Sequence, residues 1–147
     1  MSFESKERRF TEQLNQLRDF EEQFTYLIQL GRRFPALDDA LRIDAHLLPG
    51  CMSRLWFYPE LRDGLCHYHM DTDAVLVKGV AALLCALYSV EPPSTVASRE
   101  PEFLHECGIT LHLSPQRLTG LAHLRSAIRT FALLNLPSGD PNLRTAG

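Results

Sequence analysis

Ala74–Tyr88, with the sequence AVLVKGVAALLCALY, lies in the most apolar run of this 147-residue chain. Apolar side chains occupy nearly every side of the helix that this stretch predicts, so we expect the helix to be buried at the centre of the domain. Gly79 would cost about 1 kcal/mol relative to alanine inside such a helix. A close contact with a second helix would offset that cost. Thr72 and Asp73 directly precede the stretch and can cap its first turn.

Two helices are predicted before this central one. The first covers about residues 5–18, where apolar side chains recur at helical spacing. The second begins after Asp19, because Asp19 and Glu22 have the spacing of a capping box. Pro35 ends it, and residues 36–46 are predicted to form a loop or a short helix.

A β-hairpin is predicted between the second helix and the central helix. Residues 53–58 form an apolar strand, residues 62–64 (RDG) carry a hairpin turn signal, and residues 65–70 form the return strand. Alternation places one set of side chains of the return strand toward the core and the other set toward solvent: Cys66, Tyr68 and Met70 inward, and His67 and His69 outward.

More helices are predicted after the central one. Pro92-Pro93 ends that unit, and a short helix follows near residues 101–107. Ser114-Pro115 is a favourable start for a long last helix. Its inward side chains are expected to be Leu118, Leu121, Leu124, Ile128 and Phe131. This order predicts an α+β fold in which a small antiparallel β-sheet packs against several α-helices. We expect a single domain over residues 1–135 and a disordered tail over residues 136–147.

Composition narrows the functional classes. The net charge is −3 and the sequence pI is about 6.0, which does not suit a nucleic-acid-binding domain. The most apolar run, Ala74–Val90, contains Lys78 and is short for a bilayer span. Met1–Phe10 is charged and has no apolar signal-peptide core. A cytoplasmic protein is therefore expected, and its 4 cysteines are interpreted as free thiols.

Cys51 is the cysteine whose context favours chemistry. It follows Pro49-Gly50 and precedes an apolar strand, so it is predicted to lie at the tip of a tight loop. The glycine permits a tight turn and the close approach of another backbone. Arg54 could favour the thiolate, which is the nucleophilic form. Because free cysteines are often buried and inert, the residues alone leave both interpretations open.

The other three cysteines have contexts that are typical of buried, unreactive thiols. Cys66 lies on the apolar strand face, Cys85 inside the central helix and Cys107 at a helix end. No close-spaced Cys-x-x-Cys pair is present, which argues against a structural zinc site. His67 and His69 could hold a metal from one strand face, but no local third ligand is evident, and two solvent-facing histidines are the better interpretation.

Several charged residues also have two interpretations. Asp71 and Asp73 could act as an acid/base pair, although a strand exit and a helix N-cap explain both charges. Lys78 could form a Schiff base if it is buried, or it could extend from the helix to solvent. Arg117, in the first turn of the last helix, gains nothing from the helix dipole. Either a partner contact or an ion pair would explain it.

Four segments in a fixed order match a known family. They are residues 30–35 (LGRRFP), 50–56 (GCMSRLW), 71–79 (DTDAVLVKG) and 113–121 (LSPQRLTGL). The chain resembles the SufE family of sulfur acceptors for cysteine desulfurases, which includes the CsdE branch, over about residues 20–132. Three positions depart from its usual pattern: Thr72, Leu118-Thr119 and Phe57–Pro59.

The resemblance implies a SufE/IscU-like fold and a chemical role for Cys51. Its thiolate would take a persulfide sulfur from a pyridoxal-phosphate cysteine desulfurase, stimulate that enzyme and pass the sulfur to an iron–sulfur cluster scaffold or another acceptor. The chain would need no cofactor beyond a transient persulfide, and it would not be a stand-alone enzyme. The cysteine loop would shelter the thiol at rest and expose it on docking. The partner-binding residues would be Gly50, Met52, Ser53, Arg54, Asp73 and Arg117.

Two alternatives and several partner expectations accompany this interpretation. An iron–sulfur scaffold of the IscU type would need about three exposed cysteines at one site. A pure binding module would have only inert cysteines. We expect no nucleic-acid partner, no membrane partner and no bound metal. A homodimer is left open, as is the choice between the SufE and CsdE branches.

Overall fold

Six α-helices and one antiparallel hairpin form the parts of the chain that the structure, a computed structural model, describes: residues 2–50 and 53–137. The helices are α1 (Phe3–Asn15), α2 (Phe20–Arg33), α3 (Val75–Tyr88), α4 (Pro93–Ser98), α5 (Phe103–Glu106) and α6 (Pro115–Leu134). The strands are β1 (Leu55–Arg62) and β2 (Leu65–Thr72). Short 3₁₀ turns occupy Asp39–Leu41, Asp44–His46 and Ile109–His112. The predicted α+β class is confirmed.

Helix α3 is the centre of the core, as its sequence predicts. Ten of its side chains or glycines are buried, and α2 crosses it closely. A Cβ atom on Gly31 of α2 would lie 2.9 Å from the Gly79 backbone nitrogen. A Cβ atom on Gly79 would collide with the Leu27 carbonyl oxygen. The expected close helix contact is therefore present, and it explains a glycine in the middle of an otherwise strong helix.

The hairpin has the predicted turn. Arg62 pairs with Leu65, which leaves Asp63 and Gly64 as a two-residue connection. Their φ angles of 54° and 76° are the left-handed pair that a type I′ turn requires. Strand β1 continues past residue 58, through Pro59, because a two-stranded sheet leaves one side of this strand unpaired. The inward set on β2 is confirmed as buried: Cys66, Tyr68 and Met70.

The starts of three helices test the capping predictions. Asp19 accepts a hydrogen bond from the Glu22 amide at 3.0 Å, which confirms the start of α2. Ser114 accepts one from the Arg117 amide at 3.3 Å, which confirms the start of α6. The prediction for α3 is wrong, because its N-cap is Ala74 and no side chain caps the helix.

Two further expectations about the second half of the chain need correction. The sequence predicts only that Pro93 ends the preceding unit, yet Pro93 starts α4, where its fixed φ suits the first helical position. Leu118 is 37% exposed and does not face the core, whereas three of its four predicted companions are buried: Leu121, Leu124 and Ile128. Phe131 is partly buried against the core.

The domain boundary at residue 135 stays a prediction, since most of the predicted tail, residues 138–147, lies outside the described residues. Within residues 2–50 and 53–137, no helix combines the length and the apolar character needed to cross a bilayer.

Candidate functional site

A short loop leaves the sheet at the start of β1. The Leu48 amide donates to the Leu55 carbonyl oxygen at 2.8 Å, and Leu47 forms an antiparallel bridge with Trp56. These contacts close a neck, from which Pro49-Gly50 leave on one side and to which Ser53-Arg54 return on the other. Cys51 and Met52, both predicted site residues, lie outside the described residues, while Gly50 and Ser53 on either side of them are described. The predicted nucleophile, Cys51, thus belongs to a segment of the chain whose base is held by backbone hydrogen bonds.

The entry side of the loop contacts α6. The His123 Nδ1 atom is 2.9 Å from the Pro49 carbonyl oxygen. Gly50 has a φ of +84°, and a Cβ atom there would collide with the His123 imidazole. Gly50 is therefore required both by its backbone conformation and by the space that the imidazole occupies. His123 is not predicted as a site residue, because no local pattern in the sequence links it to a loop 74 residues away.

The exit side of the loop is tied to the junction between β2 and α3. The Thr72 hydroxyl donates to the Arg54 carbonyl oxygen at 2.6 Å. The Arg54 guanidinium contacts the Asp73 carboxylate at 3.1 Å and lies 5.3 Å from the centre of the Trp56 ring. The two charged side chains are 67% and 48% exposed, so solvent screens their attraction and a partner can reach both.

Asp71, two residues before Asp73, is buried and is held by several hydrogen bonds and ion pairs. Its carboxylate accepts hydrogen bonds from the Leu37 and Thr72 amides, at 3.2 and 2.9 Å. Lys78 and Arg42 each approach it at 3.3 Å. Burial alone would raise the pKa of Asp71, but these amide bonds and the Lys78 charge outweigh burial and lower it. These contacts explain the Asp71 charge structurally, and they pair the Lys78 amine with a carboxylate.

An open apolar groove of about 510 Å³ lies beside the entry to the loop. Most of its lining is carbon, from the loop base, from β1 and from α6. Its lining includes Leu48, Pro49, Phe57, His123, Phe131 and Leu134. The groove therefore borders the peptide segment that leads directly into Cys51.

Arg117 is separated from the loop contact on the same helix. It lies six residues before His123, which is about 9 Å along the helix axis and about 120° around it. Within residues 2–50 and 53–137, its guanidinium forms no ion pair or hydrogen bond. The ion-pair explanation for Arg117 thus has no support in the part of the chain that the structure describes. The structure gathers Gly50, Ser53, Arg54 and Asp73 at the loop, with Arg117 nearer the start of α6.

The three described cysteines are poorly placed for thiol chemistry. Cys66 and Cys85 are fully buried, and burial raises the pKa of both thiols. Cys107 is half-buried at the end of α5, where burial and the neighbouring Glu106 charge raise its pKa. A raised thiol pKa lowers the thiolate fraction at neutral pH.

The histidines of β2 do not form a metal centre with their neighbours. The His69 Nε2 atom lies 2.8 Å from a Glu60 carboxylate oxygen across the hairpin. Among the described residues, no group of three or more histidine, cysteine, aspartate or glutamate side chains is arranged to hold a metal ion.

Comparisons with known proteins bear on the family and on the fold. A family model described as "SufE: Fe-S metabolism associated domain" matches residues 8–132. The fold is also similar to the solution structure of a hypothetical protein from Thermus thermophilus, with a TM-score of 0.73 and 19% sequence identity. That alignment covers 88% of this chain and 95% of the other. At this level of identity, the structural likeness concerns the fold alone.

Proposed function

Because the chain belongs to the SufE family of Fe-S metabolism associated domains, we propose that it is a sulfur carrier whose Cys51 accepts persulfide sulfur from a pyridoxal-phosphate cysteine desulfurase. In this proposal the chain also stimulates the desulfurase and works in the cytoplasm. It then delivers the sulfur to an iron–sulfur cluster scaffold or another acceptor.

The transfer is an exchange between thiols. The Cys51 thiolate attacks the outer sulfur of the persulfide on the desulfurase. One S–S bond forms to Cys51 as the S–S bond of the donor persulfide breaks, and the desulfurase cysteine leaves as a thiolate. The exchange involves no net oxidation or reduction, so it needs no electron carrier. The pyridoxal phosphate stays in the desulfurase, where it releases sulfur from free cysteine.

The observation that carries the proposal is the contrast among the four cysteines. Cys66 and Cys85 are buried in the core, and Cys107 is half-buried at a helix end. Cys51 itself lies outside the described residues, but it directly follows Gly50, which is exposed, in a segment whose base is closed by the bond between Leu48 and Leu55. This contrast also weighs against a scaffold of the IscU type, because two of the four thiols cannot reach a shared cluster without unfolding the core.

The direct test is mass spectrometry of the chain after incubation with a cysteine desulfurase and free cysteine. We expect one added sulfur at Cys51. Cys51→Ser should fold normally, gain no sulfur and fail to stimulate the desulfurase, while the matched variant Cys107→Ser keeps both properties. Unchanged stimulation by Cys51→Ser would contradict the proposal. Three clustered thiols that alkylate together would favour a scaffold, and no reactive thiol would favour a binding module.

We further propose that the desulfurase docks on the loop and on the start of α6. The docking residues would be Gly50, Met52, Ser53, Arg54, Asp73 and Arg117. Arg117 has an exposed side chain that the described part of the chain leaves without an ion pair. Arg117→Ala should weaken stimulation of the desulfurase without changing the fold, whereas Arg129→Ala, further along α6, is the control. Wild-type stimulation by Arg117→Ala would remove this residue from the interface.

A further inference from the structure

Thr72 adds one hydrogen bond to the hairpin beyond its last pair of residues. The ladder between the two strands ends where Leu55 pairs with Thr72. The Thr72 hydroxyl then donates to the Arg54 carbonyl oxygen at 2.6 Å. Thr72 is only 7% exposed, so water has little access to this bond. The peptide group between Arg54 and Leu55 is therefore held by a buried side chain.

Thr72 is itself fixed by buried groups. Its backbone amide donates to the Asp71 carboxylate at 2.9 Å, and Lys78 and Arg42 also contact that carboxylate. A β-branched side chain such as threonine has few accessible χ1 rotamers. The direction in which the Thr72 hydroxyl points is therefore set by the core of the domain.

The charged end of Arg54 has only exposed contacts. Its guanidinium lies 3.1 Å from the Asp73 carboxylate and 5.3 Å from the centre of the Trp56 ring. These contacts can be exchanged for contacts with a partner, because solvent already weakens the ion pair. The bond from Thr72 to the Arg54 backbone does not depend on them. It therefore keeps the base of the Arg54 side chain in place when a partner binds the guanidinium.

We propose that Thr72 is a positioning residue for docking, whose hydroxyl holds the Arg54 backbone so that the guanidinium is presented to the desulfurase in one direction. The proposal rests on the proposed docking role of Arg54. Without the bond, the Arg54 side chain samples more directions, and binding must order it at a cost in affinity. Thr72 acts only through Arg54, since its own hydroxyl is buried.

Trp56 allows a test that needs no partner, because it is the single tryptophan of the chain. Its ring faces the Arg54 guanidinium, so its fluorescence reports on where that group lies. Trp56 pairs with Asp71 and Leu55 with Thr72, so alternation places the Trp56 and Thr72 side chains on opposite faces of the hairpin. An effect of Thr72 on the fluorescence must therefore pass through Arg54.

The variants separate the hydroxyl from the rest of the Thr72 side chain. Thr72→Val and Thr72→Ala both remove the donor, and both should shift the emission maximum in the same direction as Arg54→Ala. Thr72→Ser keeps the donor and should restore the wild-type spectrum. In an Arg54→Ala background, Thr72→Val should cause no further shift. Circular dichroism establishes that each variant is folded, and Thr72→Ala decides the result if Thr72→Val does not fold.

Thr25→Val is the matched control for these spectra. It removes an exposed hydroxyl that donates to the Glu21 carbonyl oxygen on α2, and it should leave the emission unchanged. A wild-type spectrum in the folded variants without the donor would overturn the proposal. A full shift in Thr72→Ser, or a further shift in the Arg54→Ala background, would also overturn it.

The affinity for a cysteine desulfurase tests the consequence for docking. The dissociation constant is measured by calorimetry without free cysteine, so that no sulfur is transferred. Thr72→Val should raise it about fivefold, which corresponds to about 1 kcal/mol at 1.4 kcal/mol per tenfold change. Thr72→Ser should restore it. An unchanged constant in Thr72→Val would overturn the proposal and leave the sulfur-transfer proposal intact. Failure of sulfur transfer would appear separately, as the absence of added sulfur at Cys51 in the wild type.

Discussion

The crossing of α2 and α3 and the loop over residues 49–54 are held together in opposite ways. At the crossing, two backbones meet through Gly31 and Gly79, with no room for one more carbon atom. At the loop, polar contacts hold the chain from two sides: the exposed His123 at the entry, and the buried Thr72 hydroxyl with the exposed Asp73 carboxylate at the exit. Close packing allows one arrangement, whereas exposed hydrogen bonds can be exchanged for bonds to a partner or to water. The chain is therefore tightly packed at the helix crossing and held by polar contacts at the loop, where a partner is proposed to bind.

The largest effect should come from filling the helix crossing. Gly79→Val places a branched side chain against the Leu27 carbonyl, which must force α2 and α3 apart. We expect a loss of about 3 kcal/mol in the free energy of unfolding, measured by urea denaturation. Ala122→Val, at an exposed position of α6, is the matched control and should cost less than about 1 kcal/mol. Equal losses for the two variants would show that the crossing is not tightly packed.

Asp71→Asn should have the next largest effect. It removes the negative charge that Lys78 and Arg42 share, at a cost of about 2 kcal/mol. The pKa of Asp71 is lowered in the fold, so its stabilisation is fully present above the unfolded-state pKa of about 3.9 and is lost as pH falls through the lower folded value.

Urea denaturation of the wild type and of Asp71→Asn between pH 7 and pH 2 measures this difference. The two stability curves should converge in acid. A constant gap across the whole range would contradict the assigned ionisation of Asp71.

Cys85→Ser should destabilise the chain by about 1.5 kcal/mol, because it places a hydroxyl in the fully apolar surroundings of α3. Cys107→Ser, at the half-buried end of α5, is the control with the same atomic change. Thermal unfolding of both variants measures the difference. A melting temperature for Cys85→Ser equal to that of Cys107→Ser would place Cys85 outside the core.

The smallest effect on stability should come from the loop itself. Asp73→Asn breaks an ion pair whose members are 67% and 48% exposed, so the free energy of unfolding should change by less than about 0.5 kcal/mol. Stimulation of a desulfurase should nonetheless weaken, because the variant removes a proposed docking charge. Glu60→Gln, which alters the partly exposed pair with His69 on the hairpin, is the control. A large loss of stability in Asp73→Asn would make the exit side of the loop part of the scaffold.

The sequence correctly predicted those features that depend on interactions between residues close together in the chain. The apolar run of α3, the Asp63-Gly64 turn and the caps at Asp19 and Ser114 each depend on residues within a few positions of one another. The inward set of β2 followed from simple alternation. These features determine the fold class, and all of them are present in the structure.

Contacts between distant segments account for the errors and the omissions. Thr72 and Asp73 have the composition of a helix cap, yet both side chains contact Arg54 instead. Leu118 fits the apolar spacing of α6 but precedes the part of that helix that meets the core. His123 carries no signal of its own, because its importance depends on a loop 74 residues away. Such choices are decided by tertiary packing, which a single sequence does not reveal.

The neck between Leu48 and Leu55 also limits how far from the domain Cys51 can deliver sulfur. Cys51 comes three positions after Leu48, and a fully extended chain spans only about 10 Å over three such steps. If the neck stays closed, the segment that carries the thiol is short, and it cannot move the thiol over a long distance. A donor or an acceptor must then bring its own sulfur site almost to the surface of β1. Such a carrier has to discriminate between its partners by the shape of the surface around each partner's sulfur site, since the short segment cannot reach into a deep active site.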